Sequence, residues 1–312
     1  MVSSYAQFAT EFPWFFPALS FVFGAIVGSF LNVCIYRIPL GKSVVRPGSH
    51  CACGVPIAWF DNIPILSWFI LRGRARCCGR HYSFRYAFVE LLTALLFLRC
   101  WVMFPPAKAI CGMLFIAVLV VATFVDLDHF IIPDSCTIGA AVAGLLLSFA
   151  VPSLHGQHAN VFLFASLHSG FIALEGLLIG SALVLWIALL AEVILKKEAM
   201  GFGDVKFLGA IGAFCGWQGA LFSIFGGAVI GTFWTLLAML WNKLRPITSQ
   251  APTQSSSDSE AKAENGHDAL LNPSLGALVP FGPMLATGAA VYFLWLQPIV
   301  DAYFEALAPL LS

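Results

Sequence analysis

The sequence contains few charged residues: they make up 10% of its 312 residues, and the net charge is zero. Soluble domains carry about 25% charged residues, so the composition argues against a soluble protein. The balance of 16 basic and 16 acidic residues also excludes the basic surface of a nucleic-acid-binding protein. No Lys or Arg precedes Arg37, so the basic segment of a cleavable signal peptide is missing. We therefore expect the first apolar stretch to remain as a membrane helix.

Apolar residues account for 60% of the chain and form long stretches with few charges. A helix needs about 20 such residues to cross the hydrocarbon core of a bilayer. The sequence therefore predicts an all-α polytopic membrane protein with about eight transmembrane helices. The predicted spans cover residues 14–36, 84–104, 110–124, 135–151, 171–195, 205–217, 220–241 and 279–295. Gly24 and Gly28 share one face of the first span, a spacing that lets two membrane helices pack closely.

The basic residues predict the orientation of the chain in the membrane. Eight of the 16 lie between Arg37 and Arg85, where Asp61 is the one acidic residue. Because basic residues concentrate in cytoplasmic loops, we expect this segment in the cytoplasm. With eight spans, both termini are then predicted outside. The same count puts the segments around Asp126 and Asp204 on the cytoplasmic side.

The chain divides into five predicted parts. Residues 1–37 contain the first helix, 38–83 a small cytoplasmic domain rich in Cys, Gly, Pro and Arg, and 84–245 the membrane core. Residues 246–276 form a flexible linker, since they have too few apolar side chains to fold. Residues 277–312 hold the last helix and a C-terminal tail. The apolar run 63–71 has two interpretations, as a small core of the cytoplasmic domain or as a segment at the membrane interface.

Acidic residues in or beside membrane spans are costly to keep there and indicate functional sites. Glu90, Glu175 and Glu192 occur singly on apolar helices, where pairing with a basic or hydroxyl partner is the expected structural role. Glu90 is the strongest exception, because it lies about one turn into the second predicted span from the cytoplasmic side. Asp128 is interpreted either as a solvated loop charge or as a supporting acid. Asp134 directly precedes a predicted span, so we expect it to cap that helix.

Asp126 and Asp204 are the acids with the clearest chemical interpretation. Asp126 ends one apolar span, and Asp204 follows Gly201 and Gly203 in a Gly-Phe-Gly-Asp sequence. Glycines let the backbone approach a helix or a peptide closely, although a helix break capped by Asp204 is the structural alternative. At one membrane depth, the two carboxyl groups can share a proton as in aspartic proteases. A metal site with Asp126, Asp128 and His129 is a further interpretation, based on ligand type alone.

Several short motifs occur in order along the chain, at residues 28–39, 61–68, 71–74, 85–90, 126–134, 201–206 and 280–283. Together they resemble the bacterial type IV prepilin peptidases, also called leader peptidase/N-methyltransferases, of the GxGD aspartic membrane protease family. The competing hypothesis is an ion-coupled transporter that uses Asp126, Asp204 and Glu90 as a proton relay.

The resemblance implies that Asp126 and Asp204 are the catalytic pair and that Gly73 is linked to S-adenosylmethionine. The implied activity is removal of the basic leader from type IV prepilins or type II secretion pseudopilins, followed by N-methylation of the new N-terminal residue. The implied location is the bacterial inner membrane, with the active site facing the cytoplasm and both termini in the periplasm. The implied partners are these substrates and the lipid bilayer, without nucleic acid.

The cysteines of the cytoplasmic domain depart from the family pattern. The family usually carries two Cys-x2-Cys pairs that suit structural zinc, whereas here Cys51 and Cys53 are one residue closer and Cys77 and Cys78 are adjacent. Four thiolates in a reducing compartment favour zinc over disulfides. The tight spacing keeps a metal-free domain, held by its apolar run, as the alternative.

Overall fold

The computed structural model describes residues 2–51, 53–157, 161–196, 201–244, 280–300 and 302–303. Within these ranges β-structure is limited to two isolated bridges, His50 with Pro56 and Arg74 with His81. The all-α fold class is therefore confirmed. The helices are α1 (Val2–Glu11), α2 (Phe15–Arg37), α3 (Leu66–Leu71), α4 (Arg85–Met103), α5 (Pro106–His129), α6 (Ile138–Ala150), α7 (Phe162–Leu195), α8 (Phe202–Leu244) and α9 (Gly282–Val291).

Among the described residues, six helical segments are long and apolar enough to cross a membrane. They are α2, α4, α5, α7, α8, and α9 with its continuation to Val300. Helix α6 is apolar but has only 13 residues. The interpretation as a polytopic membrane protein is thus confirmed, while the count of eight spans stays a prediction. The predicted linker 246–276 lies outside the described residues.

Helix α8 is interrupted at Gly216, whose φ of 69° and ψ of 179° are not helical. Leu208 and Ala220 would be about 18 Å apart along one straight helix. In the structure both residues lie beside Gly180. A Cβ atom at Gly180 would be 2.8 Å from the carbonyl oxygen of Leu208 and 3.2 Å from the Cβ of Ala220. Helix α8 therefore folds back near Gly216, and its two arms correspond to the predicted stretches 205–217 and 220–241.

Close packing of α2 against α4 depends on two glycines. A Cβ atom at Gly24 would lie 2.8 Å from the Cα of Ala94, and one at Gly28 would lie 2.7 Å from the Cα of Glu90. These distances leave no room for a side chain, so the small-residue face predicted for the first span is confirmed. The contact also fixes Glu90 against α2.

Helix α5 is the central helix of the bundle. In the most apolar stretch of α5, 67% of the residues are buried inside the protein, whereas only 11% are buried in the corresponding stretch of α7. Helix α7 therefore lies at the periphery, with most of its side chains turned outward. Because α5 occupies the middle, the residues of its last turn are brought to the centre of one face of the bundle.

Candidate active site

Asp126 lies in the last turn of α5 and is 6% exposed. Its Oδ2 atom accepts a hydrogen bond of 3.1 Å from the backbone N–H of Gly282. Gly282 is the first residue of α9, where backbone N–H groups have no partner within the helix. The carboxylate therefore caps α9 across the bundle and joins the end of α5 to the start of α9.

Asp204 lies in the first turn of α8, and its carboxylate interacts electrostatically with that of Asp126. Ile132 packs between the segments that carry these acids. A Cβ atom added at Gly203 would lie 3.7 Å from the Cβ of Ile132, and one added at Gly282 would lie 3.0 Å from the Cδ1 of Ile132. The end of α5 and the starts of α8 and α9 thus meet around Ile132, with both aspartates in one site.

Asp128 is held by Arg85, the first residue of α4. The two guanidinium nitrogens donate to its carboxylate at 2.6 Å and 2.7 Å, and Nη2 also donates to the carbonyl oxygen of Phe124 at 3.2 Å. Asp128 is therefore paired with a cation and partly exposed, and its role as a supporting acid stays a prediction. Within the described ranges, the grouped residues that suit a metal ion are cysteines, so the metal site with Asp126, Asp128 and His129 is not supported.

The prediction that Asp134 caps the following helix is wrong. Helix α6 begins at Ile138, and its N-cap residue is Thr137. The Asp134 carboxylate instead accepts a hydrogen bond of 2.6 Å from Lys206 Nζ. This ammonium group lowers the pKa of Asp134. The ion pair fixes the loop between α5 and α6 to the first turns of α8, close to Asp204.

Glu90 binds neutral donors. Its Oε2 atom accepts the backbone N–H of Ile65 at 2.6 Å, and the hydroxyl group of Ser29 is hydrogen-bonded to the same carboxylate. Glu90, the expected exception among the three acids, thus has a hydroxyl and a backbone N–H as partners. Glu175 and Glu192 are exposed on α7, and neither carboxylate pairs with another residue in the part of the chain that the structure describes.

The four cysteines between residues 38 and 83 come together despite their tight spacing. Cys51 Sγ lies 3.5 Å from Cys78 Sγ, Cys53 Sγ lies 3.3 Å from Cys77 Sγ, and all four sulfur atoms are within 4.8 Å of one another. Tetrahedral zinc with Zn–S bonds of about 2.3 Å places its sulfur ligands about 3.8 Å apart. The cluster therefore fits a zinc ion. Hydrogen bonds from the Cys53 backbone and from neighbouring thiols lower the pKa of Cys51 to about 6.

Gly73 follows helix α3 with a φ of 68°, a conformation that favours glycine. A Cβ atom there would lie 3.3 Å from Nε1 of Trp68, whose indole N–H donates to the carbonyl oxygen of Tyr82 at 3.4 Å. The indole ring fills the space beside Gly73, so this glycine offers no open cradle to a cofactor. Its local role is to close the turn after α3.

Two family models match the chain. The Bacterial Peptidase A24 N-terminal domain matches residues 22–104, and the Type IV leader peptidase family matches residues 113–236. The second match contains both aspartates of the site, and the first contains Gly73 and the cysteine cluster. No solved structure is significantly similar to the chain.

Several relatives carry the name prepilin leader peptidase/N-methyltransferase. The protein of Myxococcus xanthus is 39% identical over 69% of this chain and 62% of its own length, so the chain spans less than two thirds of that relative. The protein of Klebsiella pneumoniae is 36% identical over 68% of this chain and 90% of its own length. The protein of Aeromonas hydrophila is 31% identical over 95% of this chain and 97% of its own length. The chain therefore belongs to the type IV leader peptidase family.

Proposed function

We propose that this protein is a multi-pass inner-membrane peptidase that removes the basic leader from type IV prepilins or type II secretion pseudopilins. It then N-methylates the new N-terminal residue. The observation that carries the proposal is the buried Asp126, held by the Gly282 N–H in the same site as Asp204. The family and the names of its relatives provide the substrate class.

Asp126 and Asp204 form the proposed catalytic pair. Two neighbouring carboxyl groups can hold one proton between them. The ionised member takes a proton from the attacking water, and the protonated member delivers its proton to the leaving amine. The Gly282 N–H occupies Oδ2 of Asp126, which leaves Oδ1 free to meet water or the peptide. Hydrolysis by this route uses only the side chains of the pair and water.

The position of the pair at helix ends suits the proposed substrate. A prepilin joins a short basic leader to an apolar helix, and the bond to be cut lies at this junction. Asp126 is in the last turn of α5 and Asp204 in the first turn of α8, so both acids lie at one edge of the bundle. Following the distribution of basic residues, we assign this edge to the cytoplasmic face and both termini to the periplasm.

The transporter hypothesis is not supported. The matching family model is that of a peptidase. Glu90, the third acid of the supposed proton relay, is engaged by Ile65 and Ser29.

The N-methyltransferase activity is inferred from the names of the relatives, and S-adenosylmethionine is the methyl donor that the activity implies. Gly73 stays the residue proposed to be linked to S-adenosylmethionine. Because the Trp68 ring fills the space beside Gly73, the glycine itself does not fit as a binding cradle, and no step of methyl transfer is assigned to it.

Mass spectrometry of a co-expressed prepilin tests the proposal. We expect loss of the leader together with the added mass of one methyl group on the new N-terminus. Leader loss without methylation would retain the peptidase and overturn the second activity. An uncut prepilin beside well-expressed, membrane-inserted protein would overturn the proposed function as a whole.

The cysteine cluster is proposed to hold one structural zinc ion, which would fix the fold of the cytoplasmic domain. We expect one zinc per chain when the purified protein is measured by plasma mass spectrometry. Cys77→Ser removes one of the four thiolates and should lower the zinc content by about tenfold or more. Cys34→Ala, a change in α2, is the matched control and should keep the zinc. Metal-free protein with four reactive thiols would contradict the assignment.

A further inference from the structure

Helix α3 turns its apolar side chains outward. Among its six residues, Ser67 is the buried one, and its hydroxyl group donates to the carbonyl oxygen of Ile63. Leu66, Phe69 and Ile70 are 57%, 56% and 68% exposed. A helix on a water-soluble domain shows the opposite arrangement, with its apolar face inward. The exposed face therefore indicates that an apolar environment lies against α3.

The contact with Glu90 indicates how deep the start of α3 lies in the membrane. Helix α4 has 19 residues and a length of about 28 Å, close to the thickness of the hydrocarbon core of about 30 Å. The whole of α4 is therefore needed to cross the membrane. Glu90 lies about 7.5 Å beyond the first residue of α4, and so within the membrane. Because Ile65 N–H donates to Glu90 at 2.6 Å, the start of α3 is at this depth as well.

The backbone around Ile65 explains why a carboxylate is present. Ile65 has a φ of 65°, a strained conformation for a β-branched residue. A backbone N–H group that points into the membrane has no water to bind and requires a protein acceptor. The Glu90 carboxylate supplies that acceptor, and the same carboxylate is hydrogen-bonded to the Ser29 hydroxyl of α2.

Exposed cations follow the apolar face directly. Arg72, Arg74 and Arg80 come after α3 and are exposed, as basic residues at a membrane surface are. Cationic side chains beside an apolar helical face are typical of segments that lie in the interface of an anionic bilayer. The chemistry of this surface thus fits phospholipid.

We propose that residues 63–71, the interfacial segment, are inserted into the bilayer interface and that Glu90 holds them there by accepting the Ile65 N–H. Of the two interpretations of this apolar run, the outward face of α3 favours the membrane interface. The segment fixes the cytoplasmic domain to the membrane beside α4, whose first residue, Arg85, holds the end of α5. The proposal goes beyond the peptidase activity and does not depend on it.

Photocrosslinking to lipid tests the insertion. Benzoylphenylalanine is placed at Ile70, which is 68% exposed, or at the control position Val45, which is 76% exposed in the same domain. The full chain is reconstituted in nanodiscs of phosphatidylethanolamine and phosphatidylglycerol and irradiated. We expect several-fold more phospholipid adduct at Ile70 than at Val45, measured by mass spectrometry. Equal adduct at both positions would overturn the insertion.

Variants of Glu90 test its positioning role in the same assay. Glu90→Gln keeps an oxygen that accepts the Ile65 N–H, whereas Glu90→Leu has none. We expect the adduct at Ile70 to be retained with Gln and to fall several-fold with Leu. Glu175→Leu, which removes an exposed acid of α7, should leave the adduct unchanged. An adduct that persists in folded Glu90→Leu protein would overturn the role of Glu90 while leaving the insertion itself supported.

Discussion

Asp126→Asn and Asp204→Asn are each expected to abolish leader cleavage while the protein stays folded in the membrane. An amide cannot take the proton from water, and it cannot supply the acidic proton that the leaving amine needs. Loss of one member of such a catalytic unit lowers the rate on the order of 10⁴-fold. The measurement is a time course with purified enzyme and prepilin in detergent, in which cleaved and uncleaved substrate are separated by mass.

Asp128→Asn is the matched control for these two variants. It makes the same chemical change two residues from Asp126, but its target is the carboxylate that Arg85 holds. Both side chains of this pair are partly exposed, and such ion pairs contribute at most about 1 kcal/mol, so breaking it should lower cleavage by no more than about fivefold. Cleavage by either catalytic-pair variant at the control rate would contradict the assignment. Equal inactivity of all three variants would also contradict it, because the effect would then not be specific to the pair.

The membrane class and the packing face of the first span were predictable because they depend on local patterns. Composition indicates the solvent, and the four-residue spacing of Gly24 and Gly28 puts both on one helix face whatever the rest of the chain does. The break between residues 217 and 220 was likewise visible as an interruption of apolar sequence. The sequence did not indicate how the two arms of α8 fold back at Gly216.

The supports of the site were not predictable, because they join distant parts of the chain. The Gly282 N–H lies 156 residues from Asp126, and Lys206 lies 72 residues from Asp134. The capping prediction for Asp134 failed for this reason. Its carboxylate binds the Lys206 ammonium group instead of the start of the next helix, and only the packing of α8 brings that ammonium group close. A polar residue beside a helix start is thus a weak indication of a cap when a charge of opposite sign is available in space.

The cysteine cluster shows that tight spacing in sequence does not keep four thiol groups apart in the fold. The sulfur of Cys51 lies against that of Cys78, and the sulfur of Cys53 lies against that of Cys77. The two cysteines that are close in sequence therefore contact different partners. The turns at Gly54 and Gly79, both with positive φ, follow the two cysteine pairs. For these four residues the turns, and not the spacing in sequence, decide whether the thiol groups meet, and zinc binding by them stays a prediction.

Gly282→Ala is expected to lower cleavage by about 100-fold without unfolding the protein, since a displacement of about 1 Å in an active site costs that much. A Cβ atom at this position would lie 2.6 Å from Asp126 Oδ2 and 3.0 Å from Ile132 Cδ1. Either the carboxyl group rotates away or the start of α9 moves, and in both cases the 3.1 Å hydrogen bond from Gly282 N–H is lost. Because the substitution disturbs the orientation of Asp126, we expect the loss in kcat and little change in KM.

Gly139→Ala provides the matched control for this substitution. Gly139 lies on the exposed face of α6, and a Cβ there would meet its nearest neighbour, the Asp134 carbonyl oxygen, at 3.8 Å, an ordinary contact. The control should cleave prepilin at the wild-type rate. A wild-type rate for Gly282→Ala would show that the hydrogen bond across the bundle does not orient Asp126 for catalysis. A loss confined to KM would assign Gly282 to substrate binding instead, so the split between the two constants decides what the start of α9 does for the site.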